Sequence, residues 1–167
     1  MTSTYTPLGV EKMVTGENAG TWGTKTNTNL QLIEQISGGY KVQTLNTAGS
    51  GANTTTLSKA DGATGATVAT RVIIMGAVSA QAITGNKILT MPVLTENFYL
   101  IKNSTSGAYT VQLKAATGSG ATVTWGTTDK DWKLIYFDGV ATNTGVYDLG
   151  LTTAANTQTL TNKTLTS

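Results

Sequence analysis

From residue 67 onward the chain is a series of short apolar segments separated by turn residues, and this spacing constrains the fold more than any other feature. The breaks carry turn chemistry, as in Gly85-Asn86 and Asp138-Gly139. Short strands that follow one another every 8 to 12 residues or so are typical of an all-β sandwich or barrel. The predicted strands are 68–78, 87–91, 98–103, 109–115, 122–125, 132–137 and 145–149.

Several of these segments alternate between two sets of side chains with a period of two. Val111 and Leu113 share one set, and Leu134 and Tyr136 share another. Each strand should therefore bury one face and expose the other. We predict a mainly β protein whose residues 41–151 form a β-sandwich-like domain of short antiparallel strands.

One short helix is predicted before this domain, between Thr24 and Ser37. Leu30, Ile33 and Ile36 recur there at helical spacing, and Gly38-Gly39 provides a stop. Four residues are suitable N-caps, so the start stays open: Thr24, Thr26, Asn27 and Thr28. Isolated helices shorter than about 12 to 15 residues are marginal in water. This helix therefore needs a surface to pack against.

The remaining segments lack an apolar period. Residues 1–23 are predicted to be an extended arm, and residues 24–40 a helix and docking segment. Residues 47–65 are rich in Gly, Ala, Ser and Thr and predict long turns between short strands, after a strand at 41–45. Residues 152–167 predict a linker toward a fibrous continuation, and we expect the natural chain to continue past its last residue.

Composition excludes much familiar enzyme chemistry, because cysteine and histidine are both absent. Zinc sites built on Cys or His, thiol nucleophiles, disulfides and Ser-His-Asp arrangements are thereby removed. Charged residues make up only 12% of the chain, against about a quarter in a typical soluble domain. Small neutral polar side chains must cover its surface. We expect a non-enzymatic building role with no cofactor and no metal.

The charge and hydropathy patterns also restrict the partners. A net charge of +2 is too small for an electrostatic footprint on nucleic acid. The longest apolar stretch, 72–78, is broken by Gly76 and too short to span a bilayer. Residues 1–14 lack the apolar region of a secretory signal. We expect neither nucleic-acid binding nor membrane insertion, and synthesis in the cytoplasm.

A cluster of carboxylates and a set of aromatic residues are the candidates for chemistry or sugar binding. Paired acids can serve glycoside hydrolysis or bind calcium, but acids in turns are also favoured for backbone reasons. The acids are Asp129, Asp131, Asp138 and Asp148. Aromatic side chains can stack on sugars, but their period-two placement favours packing within a sheet. The aromatics are Tyr109, Trp125, Trp132, Tyr136 and Tyr147. For both sets we favour the structural interpretation.

Three segments resemble bacteriophage tail-fibre and other virion appendage proteins, especially those of marine phages. Residues 20–36 (GTWGTKTNTNLQLIEQI) are similar to a sequence near the N-terminus of many such proteins. Residues 98–120 together with 132–139 are similar to a small β-module in them. Residues 158–167 (QTLTNKTLTS) resemble the start of their Thr-rich fibrous repeats. The order of the three is more informative than any one alone.

This resemblance implies a homotrimeric virion component, assembled in the host cytoplasm, whose N-terminal part docks to the particle. The implied partners are a tail adaptor, portal or capsid protein, with a host surface glycan contacted through a distal part. The chain departs from the pattern in having no long distal shaft or receptor-binding tip. Two alternatives stay open: a head fibre or capsid decoration protein, and a carbohydrate-binding or degrading tailspike.

The candidate docking or trimer-interface residues lie in and around the predicted helix. Tryptophan is enriched at interface hot spots, and a short apolar helix gains from burial against copies of itself. Packing of the same side chains against the chain's own sheet is the alternative. The candidates are Trp22, Leu30, Ile33, Ile36 and Tyr40.

Overall fold

The structure is a computed structural model that describes residues 2–47 and 53–150. Within these residues the chain is mainly β with a single α-helix, as the sequence predicts. The helix is α1 (Trp22–Gly38). The strands are β1 (Thr4–Tyr5), β2 (Glu11–Lys12), β3 (Tyr40–Gln43), β4 (Asn53–Thr56), β5 (Val72–Ala82), β6 (Lys87–Met91), β7 (Glu96–Ser106), β8 (Val111–Ala115), β9 (Val123–Trp125), β10 (Trp132–Asp138) and β11 (Val146–Asp148).

Two sheets form the body of the protein. The large sheet has the strand order β11-β10-β7-β5-β3, and the small sheet has the order β4-β6-β8-β9. One buried apolar cluster takes side chains from both, for example Ile101 and Phe137 from the large sheet and Leu89 and Leu113 from the small one. The two sheets therefore pack face to face in a sandwich-like arrangement.

The predicted antiparallel pairing is wrong for the central strands. β3, β5 and β7 pair in parallel in the large sheet, and β4, β6 and β8 pair in parallel in the small one. The chain alternates between the layers from β3 to β8, so each turn joins two layers instead of two neighbours in one sheet. Turn residues predict that a chain reverses, but not which sheet the next strand joins. Antiparallel pairs remain at β7-β10, β10-β11 and β8-β9.

The predicted strand bounds agree best with the observed ones where turn residues sharply delimit an apolar segment. The prediction 87–91 coincides with β6, and 132–137 falls one residue short of β10. The prediction 68–78 is shifted, because Thr67–Ala69 form a 3₁₀ turn and β5 begins after it. Neither β5 nor β7 is short, since each has 11 residues. The linker predicted at 152–167 lies outside the described residues.

The helix begins two residues earlier than predicted, so none of the four proposed N-caps is correct. The amides of Thr21 and Trp22 both donate to the carbonyl of Asn18, at 2.8 and 2.9 Å. This turn starts the helix before the Thr-rich segment is reached. Its end lies one residue beyond the predicted Ser37: Gly38 is the last helical residue, and the amide of Gly39 donates to the Gln35 carbonyl at 2.7 Å.

The segment before the helix is not simply extended. β1 and β2 pair antiparallel and fold residues 4–12 back on themselves. Gly9, with φ of +87°, allows this turn, and a Cβ there would lie 2.0 Å from the carbonyl oxygen of Ala60. A side chain at residue 9 would therefore push the arm off the body.

Candidate interaction surface

Three apolar side chains stand exposed along one side of α1. Trp22, Leu30 and Ile33 are 65%, 59% and 50% exposed. At 100° per residue they lie within about 80° of one another around the helix axis. We call these three residues the helix face. Exposed single apolar residues are ordinary, but a row of three large ones on a short helix is typical of a docking surface.

The other two candidate residues lie elsewhere. Ile36 packs against the buried cluster of Leu32, Ala66 and Ala69, because residues four apart share a side of a helix and Leu32 is fully buried. Its side chain therefore takes part in fastening the helix to the body. Tyr40 is exposed but begins β3, directly after the helix.

Side-chain amides fasten α1 to its surroundings. The Gln35 Nε2 donates to the carbonyls of Ala69 and Ala66 at 2.8 and 3.2 Å, and its Oε1 accepts from the Gly65 amide at 2.9 Å. Asn29 pairs with the backbone of Glu11 in the same way: Nδ2 donates to the carbonyl and Oδ1 accepts from the amide, both at 2.9 Å. The helix face is therefore presented on a fixed support.

An ion pair adds to the contact between arm and helix. Lys25 Nζ lies 2.9 Å from Glu11 Oε2, whose side chain is almost fully buried. The hydrogen bond from Lys25 lowers the pKa of Glu11, and the same contact raises the pKa of Lys25. Both groups stay charged at neutral pH.

The carboxylates are occupied by structural contacts. Lys133 Nζ lies 3.1 Å from Asp129 and 3.0 Å from Asp148, and these two bonds outweigh burial and raise the pKa of the lysine. Asp138 Oδ1 accepts from the amides of Val140 and Gly145, which lowers the pKa of its carboxyl. A glycosidase needs a carboxyl whose pKa is raised, so that it can donate a proton. The arrangement favours the turn interpretation of these acids.

The aromatic candidates separate into a buried one and several on the surface. Trp125 is fully buried, and its Nε1 donates to the Asp131 carbonyl at 3.1 Å, so it cannot stack on a sugar. Trp132, Tyr136 and Tyr147 lie instead on the outer side of the large sheet. The register pairs Tyr136 with both Tyr147 and Phe98, and paired residues share a side.

This outer side is mostly apolar, with Lys102 among its residues and the pair Glu96 and Asp138 at one end, and the sequence did not predict this surface. We call it the sheet face, and its residues are Tyr40, Val42, Val72, Ile74, Phe98, Leu100, Lys102, Trp132, Leu134, Tyr136 and Tyr147. The inward positions of β5, β7 and β10 include the buried Ile73, Tyr99 and Ile135. A strand that is apolar on both sides predicts burial on both sides, and this signal was present in the sequence.

Other kinds of site receive little support from the described residues. A shallow open cleft of roughly 450 Å³ runs beside the end of α1, between Gln31, Glu34, Gln35 and Gly38-Gly39. In ranges 2–47 and 53–150, no three His, Cys, Asp or Glu side chains converge as metal ligands. No helix in those ranges combines the length and apolarity needed to cross a membrane.

Comparison with known proteins gives no relative: no family model, curated protein or solved structure matches the chain. The described residues therefore define the protein only as a mainly β protein of two packed sheets and one helix.

Proposed function

We propose that this chain is a structural component of a phage virion, namely the particle-attachment part of a tail fibre. The observation that carries the proposal is the helix face, a row of large apolar side chains held exposed on a fixed helix. Residues 20–36, which resemble the N-terminal region of phage appendage proteins, include all three of its residues. The resemblance and the exposed surface thus fall on the same element.

The helix face would bind by insertion into an apolar groove of a tail adaptor, portal or capsid protein. Full burial of one Leu or Ile side chain contributes about 1.5 to 3 kcal/mol, and tryptophan is a frequent hot-spot residue. Gln35 and Asn29 already hold the helix in place, so little conformational entropy would be lost on binding. This mode of recognition, a helix in a groove, is common among protein partners.

The number of copies would multiply this contact. A homotrimer presents three helix faces, and linked sites raise the effective concentration without new contacts. A distal part, attached through the C-terminal segment, would contact the host, so that the chain acts in adsorption only indirectly.

Replacement of Ile33 by Glu tests the docking role. We expect Ile33→Glu to reduce incorporation of the protein into phage particles at least tenfold, because a carboxylate would be buried in an apolar groove. Gln31→Glu is the matched control, since it adds the same charge at an exposed position of the same helix. Incorporation is measured by quantitative blotting of purified particles.

Normal incorporation of Ile33→Glu would show that the helix face is not the anchor. Immunogold labelling of intact particles gives the location independently. Label on the capsid in place of the tail would replace the tail-fibre assignment by a head fibre or decoration protein.

A further inference from the structure

The end of α1 is rich in hydrogen-bond acceptors that lack a donor. A helix leaves its last carbonyls without an intrahelical partner. The amide of Gly39 caps the Gln35 carbonyl. Among the described residues, no donor reaches the next three carbonyls, those of Ile36, Ser37 and Gly38. These carbonyls carry the negative end of the helix dipole, and the last turn has no basic residue to balance it.

Glu34 adds a full negative charge beside this end. It is exposed, and within ranges 2–47 and 53–150 it forms neither an ion pair nor a hydrogen bond. Lys25, the other charged residue of α1, is paired with Glu11 of the arm. Lys41, shortly after the helix, donates to the Gly65 carbonyl at 2.9 Å instead. The described part of the chain therefore supplies no cation to Glu34.

The open cleft of roughly 450 Å³ lies directly beside these acceptors, and its lining includes Glu34, Gly38 and Gly39. The amide of Gln35, which also lines it, is fully occupied by backbone groups of residues 65–69. A Cβ at Gly38 would meet nothing within 4 Å, so the backbone there is open to a ligand. The cleft thus offers a carboxylate and carbonyl oxygens, which accept hydrogen bonds and favour positive charge.

The cleft borders the helix face. At 100° per residue, Glu34 lies about 40° around the helix axis from Leu30, on the side away from Trp22. The other flank of the helix face is closed, because Asn29 is bound to the arm. A partner that covers Leu30 and Ile33 therefore meets Glu34 at the rim of the same contact.

We propose that the particle protein that receives the helix face places an arginine side chain in this cleft. Its guanidinium bonds the carboxylate of Glu34 and the free carbonyls of the last turn. The inference rests on the proposed function and names the chemistry of its partner. Gln31 lines the opposite end of the cleft, nearer the start of the helix, and is not part of this contact.

A guanidinium fits these acceptors better than an ammonium group or a metal ion does. Its five N–H donors lie in one plane, so it can bond a carboxylate with two parallel bonds and still reach a carbonyl. An ammonium group is more strongly hydrated, and lysine is depleted at interfaces where arginine is enriched. A metal ion needs several charged ligands, and nowhere in the described ranges do three acidic side chains converge.

Glu34→Gln and Glu34→Lys in the full chain test the proposal. Glu34→Gln keeps the shape and removes the charge, and we expect it to lower incorporation into phage particles about threefold to fivefold. Glu34→Lys sets two cations against each other and should lower incorporation at least tenfold. Both variants should keep the melting temperature of the wild type, because Glu34 has no partner within the described fold. Glu96→Gln and Glu96→Lys are the matched controls at another exposed carboxylate, and they should incorporate normally.

A small probe tests the chemical class without the particle. In ¹H–¹⁵N spectra of the wild-type chain, acetyl-arginine amide should shift the amide signals of Gly38 and Gly39. Acetyl-citrulline amide has nearly the same shape without the charge and should leave them in place. Glu34→Gln should abolish the response to the arginine probe. No difference between the two probes would overturn the assignment of the cleft to a guanidinium.

Normal incorporation of either Glu34 variant would overturn the arginine contact. If Ile33→Glu is still excluded from particles in that case, the proposed function stands without this contact. Normal incorporation of Ile33→Glu would instead contradict the proposed function itself, whatever the Glu34 variants do.

Discussion

Replacement of Gln35 by Met should loosen the support of the helix face without changing its exposed residues. Methionine keeps the length and shape of the side chain but removes its donor and acceptor. The carbonyls of Ala66 and Ala69 would lose the Gln35 amide, and the Gly65 amide would lose its acceptor.

The size of the loss follows from the surroundings of each partner. Gly65 is exposed, so water can replace Gln35 there. The Ala66 carbonyl still accepts from the Ala69 amide at 3.2 Å. Ala69 is fully buried, and the loss of a donor to a buried carbonyl costs about 1 to 3 kcal/mol. We therefore expect Gln35→Met to lower the free energy of unfolding by about 2 kcal/mol.

Urea denaturation followed by tryptophan fluorescence measures this loss as a lower midpoint with an unchanged slope. The melting temperature should fall by about 4 to 8 °C, because 1 kcal/mol corresponds to about 2 to 4 °C for a chain of this size. Gln31→Met is the control, since Gln31 is exposed on the same helix. If the two variants unfold within about 0.5 kcal/mol of each other, the amide contacts do not hold the helix.

Two further predictions concern the body of the protein. Burial raises the pKa of Tyr99 from 10.0 to about 12. The unfolded chain therefore loses this proton at a lower pH than the folded protein does. The free energy of unfolding should be unaffected by Tyr99 below about pH 10 and should fall as the pH rises from about 10 to 12, by about 2.7 kcal/mol in all. Urea midpoints between roughly pH 8 and 11.5 should show this slope in the wild type but not in Tyr99→Phe; equal slopes would contradict it. Gly76→Ala should destabilise more than Gly16→Ala, because both have left-handed backbones but only at Gly76 would a Cβ meet the Ser104 carbonyl oxygen, at 2.5 Å. Equal melting temperatures would refute that reasoning.

The sequence predicted elements better than their arrangement. Gly38-Gly39 ended the helix and sharp turns bounded β6 because these are local effects of backbone geometry. The parallel pairing of β5 with its neighbours depends on which layer each strand enters. That choice is made by the packing of whole sheets, and no local turn signal carries it.

The candidate surface was predicted in part for a similar reason. Leu30, Ile33 and Ile36 recur at helical spacing, and the sequence grouped them as one stripe. Leu32, on the same helix, is fully buried, and Ile36, four residues later, packs on the same side of the helix. Spacing shows which residues share a side of a helix, but the depth of the neighbouring surface decides which side is buried.

The low charge of the chain is matched by the way its parts are joined. Where other proteins use ion pairs between elements, this one repeatedly uses carboxamides. The Gln81 side chain donates to the carbonyl of Leu45 at 2.7 Å and accepts from its amide at 2.8 Å. Asn29 makes the same pair of bonds to Glu11, and Gln35 donates to the carbonyl of Ala69. Salt screens exposed ion pairs, and acid protonates carboxylates, but neither changes an amide. Contacts of this kind should therefore keep their geometry through changes of salt concentration and pH.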